Sequence, residues 1–317
     1  MKNKRYNAVV IGCGRIGAEE WNYQNGIRPA THAAAYWNHP GISLVGLCDN
    51  NSRKLKKVGR FFPDTPLYLS PKKMLEETKP DIVSIATNPD THYKFVKMAA
   101  NSGAKAIICE KPISDSLAKS ESMVKICKSK GCLLFIGHLR HFDPLIKKWQ
   151  EKVRNGSLGS ISQINCLYYN GFLNNGTHVI DILRWFLGDI KWVSGFYNLE
   201  TSNPEKDKNI DAIICFKNKS RAIIQSLPKK IDRTEWVFYG TKGKLEIRKL
   251  GMEIKFNDLI MGKARSLMTQ MVSHVISCID GKEKPLSTGQ DGLAILKILL
   301  AVKKSAENNG KVITMVR

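Results

Sequence analysis

The stretch NAVVIGCGRIGA, residues 7–18, decides the fold. Residues 7–11 read as a short strand, apolar from Ala8 onward, and the strand stops at Gly12, Gly14 and Gly17 in the GxGxxG spacing. A strand that ends on such a loop and opens a helix is the context in which this spacing signals dinucleotide binding. The three glycines do different things. Gly12 permits the tight turn, Gly14 lets the backbone approach a pyrophosphate, and Gly17 lets the helix pack closely on the strand. Cys13, Arg15 and Ile16 complete the loop, and the helix that follows offers free N–H donors to phosphate oxygens. The competing interpretation is a bare strand-turn-helix with fortuitous glycines.

Working outward, apolar runs at residues 43–48, 82–85, 106–109 and 133–136 alternate with amphipathic stretches such as 53–62 and 117–130. That alternation predicts an α/β fold with a doubly wound parallel sheet, a Rossmann domain over residues 1–138. Beyond residue 160 the runs at 161–168, 192–199, 210–216, 221–226, 234–239 and 244–247 follow one another with little helix between them. Residues 216–221 and 239–244 look like hairpin connections. Two helices, 264–279 and 291–307, close the chain. The second domain, residues 139–317, is therefore expected to be α+β, built on a largely antiparallel open sheet.

A chain of 317 residues is long enough for two such cores. It has no apolar run near the ~18 residues a membrane helix needs, and its start runs straight into the glycine loop rather than into a signal peptide. None of the eight cysteines forms a CxxC pair, so no metal site is expected and a reducing cytoplasm fits the composition. The net charge of +22 raises the question of nucleic acid, but 37 of the 50 basic residues are lysines scattered along the chain. They read as solvated faces, and phosphorylated or otherwise anionic small molecules are a better match than a nucleic-acid partner.

Asp49 ends the second strand, where a carboxylate accepts from both ribose hydroxyls and repels a 2′-phosphate, which favours NAD. NADP stays open because Arg53 is near in sequence. Between Gly17 and Asp49 lies an insert, EEWNYQNGIRPATH, whose Trp21, Tyr23, Arg28 and His32 would either overhang the bound ligands or form an ordinary surface loop. Further on, CEKPIS (residues 109–114) follows an apolar strand at the carboxyl edge of the sheet, where open α/β folds place ligands. An ammonium at Lys111 can hydrogen-bond a reacting oxygen and exchange a proton with it; the alternative is a surface lysine after a strand.

TNPDTH (87–92), CEKPIS (109–114), GHLRHFDP (137–144) and GTHVIDILRWFLGD (176–189), in this order and spacing, resemble the Gfo/Idh/MocA oxidoreductase family of glucose-fructose oxidoreductase and inositol dehydrogenase type. The likeness extends to YGTKGKLEI (239–247) and SAENNGKVI (305–313). It implies an NAD(P)-dependent oxidoreductase that transfers a hydride to or from a hydroxyl-bearing carbon of a sugar, polyol or sugar nucleotide. It implies cofactor contacts from Thr87, Asn88, His92, Glu110 and Lys111, with His138 set behind them, and catalytic roles for Lys111 and His178. Substrate contacts are implied for Lys111, Leu139, Arg140, Asn174, Asn175 and His178, with a structural salt bridge as the other reading of Arg140. Where relatives carry an aspartate four residues before the histidine, this chain has Asn174, which cannot hold an imidazolium by charge and moves the weight of proton transfer toward Lys111. Asp181, three residues after His178, is a possible substitute or a plain structural partner. The resemblance further implies a homodimer or homotetramer formed through the open sheet face. Two alternatives keep the fold and drop net redox chemistry: a non-catalytic NAD-binding regulator and an NAD-dependent glycosidase.

Overall fold

The computed structural model describes residues 6–19, 30–202, 207–263 and 267–315. The chain begins β1 (Tyr6–Ile11), α1 (His32–Asn38), β2 (Ile42–Cys48), α2 (Ser52–Gly59), β3 (Leu67–Tyr68), α3 (Pro71–Thr78), β4 (Ile82–Ile85), α4 (Pro89–Asn101), β5 (Ala106–Cys109), α5 (Leu117–Ser129) and β6 (Leu133–Ile136). It continues α6 (Pro144–Arg154), β7 (Ile161–Tyr169), α7 (Gly176–Leu187), β8 (Ile190–Tyr197), β9 (Ile210–Phe216), β10 (Arg221–Leu227), β11 (Glu235–Gly240) and β12 (Gly243–Arg248). The closing elements are β13 (Glu253–Phe256), β14 (Leu259–Lys263), α8 (Leu267–Ile279), α9 (Gly289–Ala306) and β15 (Ile313–Thr314). Trp21, Tyr23 and Arg28 lie outside the described residues.

The first unit comprises Met1–Phe142 together with Ser266–Leu293. Its six strands are all parallel, in the order β3-β2-β1-β4-β5-β6. This is the doubly wound arrangement, whose strand order reverses at β1 and opens a crevice at the strands' carboxyl ends. β4 and β5 are buried along their whole length, as strands covered on both faces must be. Local chemistry starts the helices: Thr31 Oγ1 accepts the Ala34 N–H at 3.1 Å, Asn51 Oδ1 accepts the Lys54 N–H at 3.0 Å, and Pro89 occupies the first turn of α4.

The grouping of residues differs from the division at 138/139. The segment Ser266–Leu293 belongs with the first unit, because Met268, Met271, Val272 and Val275 of α8 share one apolar cluster with Tyr36, Leu47, Phe135 and Phe142. An isolated antiparallel bridge between Phe135 and Thr288 ties it further to β6.

The second unit, Asp143–Arg265 with Ala294–Arg317, carries a nine-stranded sheet in the order β14-β13-β12-β11-β7-β10-β9-β8-β15. The two expected hairpins are present as the antiparallel pairs β9/β10 and β11/β12. The sheet is mixed rather than wholly antiparallel, since β7 and β10 run parallel at its centre. One face is packed by α6, α7 and α9: Trp236 and Phe238 are fully buried, Phe186 stacks on Phe238 at 5.1 Å, and Trp149 stacks on Phe256 at 5.0 Å. The other face alternates outward along β10, where Ile223 stands opposite Ile213 of β9 and each is 38% exposed. Among the described residues no helix is long and apolar enough to cross a membrane, and no cluster of His, Cys, Asp and Glu is able to hold a metal.

Candidate active site

The glycine loop sits where β1 ends. Gly12 has φ +95 and approaches β4 so closely that a Cβ there would lie 2.5 Å from the Ala86 carbonyl oxygen. A Cβ on Gly17 would be driven into the Gly12 carbonyl oxygen. At Gly14 a Cβ would meet nothing within 4 Å, so the loop stands open beside its middle glycine. After it the chain takes a wide π-type turn, Arg15–Glu19, in which the Ala18 and Glu19 N–H groups both donate to the Gly14 carbonyl at 2.9 and 3.0 Å. Arg15 is exposed and Ile16 half-buried, while the Cys13 thiol is buried, its pKa pushed up by burial and then by the nearby Asp49 charge.

Asp49 closes the same site. Its Oδ2 accepts the Cys13 N–H at 2.9 Å and its Oδ1 accepts the Asn51 N–H at 2.9 Å, which fixes the carboxylate beside the glycine loop. A carboxylate offers about four acceptor positions, so capacity remains for ribose hydroxyls. The cation nearest it is not Arg53 but Lys54, whose Nζ lies 3.6 Å from Oδ2. An open Gly14, the start of a helical turn and an anchored acid form a set that fits a dinucleotide carrying a free 2′-hydroxyl.

Two turns on neighbouring strands converge. After β4, Thr87 Oγ1 and Thr91 Oγ1 are 2.7 Å apart, and exposed Asn88 begins α4. After β5 come Glu110, Lys111 and Pro112, joined by a cis Lys111–Pro112 bond, with Lys111 half-buried. His92 pins the turns together: its Nδ1 lies 3.1 Å from the Pro112 carbonyl oxygen and 3.2 Å from that of Ile113, and its Nε2 lies 3.0 Å from that of Thr87. Fully buried and within hydrogen-bond distance of backbone carbonyls at both nitrogens, His92 braces the lysine turn. Glu110 is 8% exposed, and its Oε1 lies 3.0 Å from His32 Nε2. His32 is no part of an overhanging loop; it opens α1 and is fully buried.

The segment Leu139–Phe142 is a single 3-10 turn of the first unit. Arg140 is 6% exposed, Leu139 packs against the first core, and His138 Nδ1 is 3.4 Å from Ser287 Oγ. Arg140 is thus buried and Leu139 half-buried, both on the turn that follows β6.

Asn174, Asn175 and His178 belong to the second unit, where α7 begins. Asp207 sets this turn, its Oδ1 accepting the Leu173 N–H at 3.0 Å and its Oδ2 the Asn174 N–H at 2.7 Å. Gly171, with φ +92, passes so near the Asp207 carboxylate that no side chain fits there. Burial raises the Asp207 carboxyl above its ordinary value even though backbone N–H groups and the Lys303 charge oppose this. Asn174 itself is exposed, and its Nδ2 donates to the Asn170 carbonyl at 3.2 Å. His178 is half-buried on the first turn of α7, and Asp181 is 2% exposed. Asp207 was not among the expected site residues, and His32 was expected only as part of the insert.

A doubly wound sheet with an open glycine turn, an anchored acid after β2 and a braced lysine after β5 defines a dinucleotide-dependent enzyme scaffold. Comparison with known proteins agrees. A model of the oxidoreductase family's NAD-binding Rossmann fold, GFO_IDH_MocA, matches residues 6–138, and the model of the GFO/IDH/MocA C-terminal domain matches residues 169–246. The chain belongs to the Gfo/Idh/MocA oxidoreductase family. The D-apiose dehydrogenase of Paraburkholderia graminis is 28% identical over 59% of this chain, a match that spans 51% of that enzyme's length. The myo-inositol 2-dehydrogenase of Thermotoga maritima is 23% identical over 96% of this chain and 97% of its own. Among solved structures, the WlbA dehydrogenase of Bordetella pertussis, in complex with NADH and UDP-GlcNAcA, has the same fold, with a TM-score of 0.84 at 18% identity over 100% of this chain and 99% of that one.

Proposed function

We propose that this protein is an NAD-dependent dehydrogenase acting on a secondary hydroxyl, or the matching keto carbon, of a sugar, polyol or sugar nucleotide. The observation that carries the reading is the half-buried Lys111 on a turn braced by His92, with only β4 between its strand and the strand of the glycine loop, at the carboxyl edge of the parallel sheet. The matched apiose and inositol dehydrogenases support the substrate class. When bound, NAD supplies the hydride acceptor. Gly12, Gly14 and Gly17 seat its pyrophosphate and Asp49 its ribose. Lys111, as the neutral amine, takes the hydroxyl proton while the carbinol hydrogen leaves as hydride to NAD, or as the ammonium returns the proton in the reductive direction, and the positive charge it carries once protonated stabilises the oxygen. His178 is the second proton-transfer group, with Asn174 and Asn175 as hydrogen-bonding contacts for substrate hydroxyls. Without a carboxylate at position 174 the imidazole is the weaker base of the two.

The test is a panel of sugars, polyols and sugar nucleotides with NAD and with NADP, read by absorbance of the reduced cofactor. Lys111→Ala is expected to keep NAD binding and lose turnover by about a thousandfold, within the range set by general acid–base catalysis. Full activity in that variant removes Lys111 from the mechanism, and a panel that never reduces the cofactor removes the dehydrogenase reading. We further propose a homodimer or homotetramer whose copies cover the face of the second-unit sheet that carries Ile213 and Ile223.

A further inference from the structure

His32 and Glu110 form a buried pair directly beside Lys111, and the mechanism above gives them no role. His32 Nε2 lies 3.0 Å from Glu110 Oε1, and His32 Nδ1 lies 2.9 Å from Ser84 Oγ on β4. Ser84 Oγ in turn is 2.6 Å from the hydroxyl of Tyr36, one helical turn after His32. His32, Tyr36 and Ser84 are fully buried and Glu110 is 8% exposed. In either charge state of the ring Nε2–H donates to the Glu110 carboxylate; a neutral ring accepts the Ser84 hydrogen at Nδ1, and an imidazolium donates from Nδ1 to Ser84 Oγ. Each link uses one hydrogen.

The carboxylate end of this chain is held from other sides as well. Glu110 Oε2 accepts the Lys111 N–H at 3.3 Å, and a Cβ at Gly137 would lie 2.7 Å from Oε1, so the chain leaving β6 presses against the carboxylate. The ionisable groups that the described residues set against Glu110 are His32 from α1, Lys111 from its own turn and Cys109 from β5, whose thiol burial and the Glu110 charge push up. Burial alone would raise the Glu110 carboxyl; hydrogen bonding and attraction from His32, with the Lys111 charge, bring it below its ordinary value. Glu110 thus stays ionised in a buried place because His32 is there.

We propose that His32 is a positioning residue for the reaction: it keeps Glu110 ionised and fixed, and Glu110 sets the turn and the charge environment of the Lys111 ammonium. The proposal rests on the reading of Lys111 as the proton-transfer residue. A charged group buried without partners is costly, and a helix residue with no such role would be expected to be apolar here. Losing the imidazole drives Glu110 to take up a proton, which removes the negative charge that favours protonated Lys111.

The test needs neither cofactor nor substrate. The full chain is pulse-acylated with acetic anhydride across a pH series, and labelling of each lysine is followed by mass spectrometry. In His32→Ala and Glu110→Gln the Lys111 labelling midpoint is expected to fall by about one pH unit or more, the scale of a close charge partner. His32→Gln, whose amide can still donate to Glu110, is expected to restore at least half of that shift, and exposed Lys72 serves as the unmoved control. If the Lys111 midpoint stays put in folded His32→Ala and Glu110→Gln, the proposal is overturned. Should the alanine variant fail to fold, the volume-keeping Glu110→Gln decides by the same criterion. Turnover of Lys111→Ala is read separately: activity there with a shifted midpoint in the other variants sinks the catalytic reading of Lys111 while leaving its coupling to His32 intact.

Discussion

The three loop glycines should separate folding from cofactor binding when each is replaced by alanine. At Gly14 the added Cβ meets nothing within 4 Å and the backbone is not in the left-handed region, so Gly14→Ala should leave the unfolding temperature of the free protein unchanged. The methyl group instead fills the space through which a pyrophosphate reaches the loop. With NAD at a hundred times its Kd, the wild type gains about 2.7 kcal/mol, which for a unit of this size is roughly a 5–10 °C rise in melting temperature. A tenfold loss of affinity in Gly14→Ala leaves about 1.4 kcal/mol at the same NAD concentration, so the rise is about halved. Gly17→Ala behaves oppositely. Its Cβ would collide with the Gly12 carbonyl oxygen and lie 3.0 Å from that carbonyl carbon and 3.3 Å from the Ala86 Cβ, so the helix must shift off the strand. Overpacking against backbone costs about 2 kcal/mol, a fall of roughly 4–8 °C without any ligand. Differential scanning fluorimetry with and without NAD reads both effects. A full NAD-induced rise in Gly14→Ala, or an unshifted ligand-free melting temperature in Gly17→Ala, would refute this division of roles within the loop.

Asp49→Ser should weaken NAD by about tenfold and strengthen NADP, because the repelling carboxylate is gone and Lys54, 3.6 Å away, becomes available to a 2′-phosphate; fluorescence titration with the two reduced cofactors measures both changes. Asp207→Ala leaves the Leu173 and Asn174 N–H groups without their acceptor, so it should destabilise the second unit by about 2 kcal/mol in urea unfolding and raise KM for the substrate while NAD affinity holds. Ile223→Lys places a charge opposite Ile213 on the outward sheet face and should shift the chain toward monomer in size-exclusion chromatography with light scattering, without loss of its circular dichroism spectrum.

What the sequence made legible was local. The GCGRIG loop, the strands on either side of it and the EKP turn are read from a few adjacent residues, because a turn that accepts only glycine or a strand buried on both faces leaves its mark in composition. The return of α8 to the first unit was not readable in that way. Its apolar stripe of Met268, Met271, Val272 and Val275 would serve equally well on either core, and only the shape of the surface near Tyr36 and Phe142 chooses. The parallel pairing of β7 with β10 is similarly a matter of long connections, since alternation along a strand does not name its neighbour.

The site residues missed by sequence reading divide along the same line. Asp207 holds Asn174 from 33 residues away, with no local motif to announce it. His32 lies 78 residues from Glu110, but there a signal existed and pointed elsewhere. Its place at the end of a long insert drew attention to the insert, whereas the informative feature was Ser84 in IVSI, Ile82–Ile85, a hydroxyl in the middle of a strand with no other polar side chain. A fully buried hydroxyl needs a partner, and a strand covered on both faces can be given one only by an element packed across it. The helix HAAAYW offers His32 and Tyr36 four residues apart, two side chains with polar tips on one face. Those three residues meet in a buried polar contact between α1 and β4. Once that contact exists, the free nitrogen of His32 must also be satisfied, and the acid that β5 delivers immediately before Lys111 supplies the acceptor.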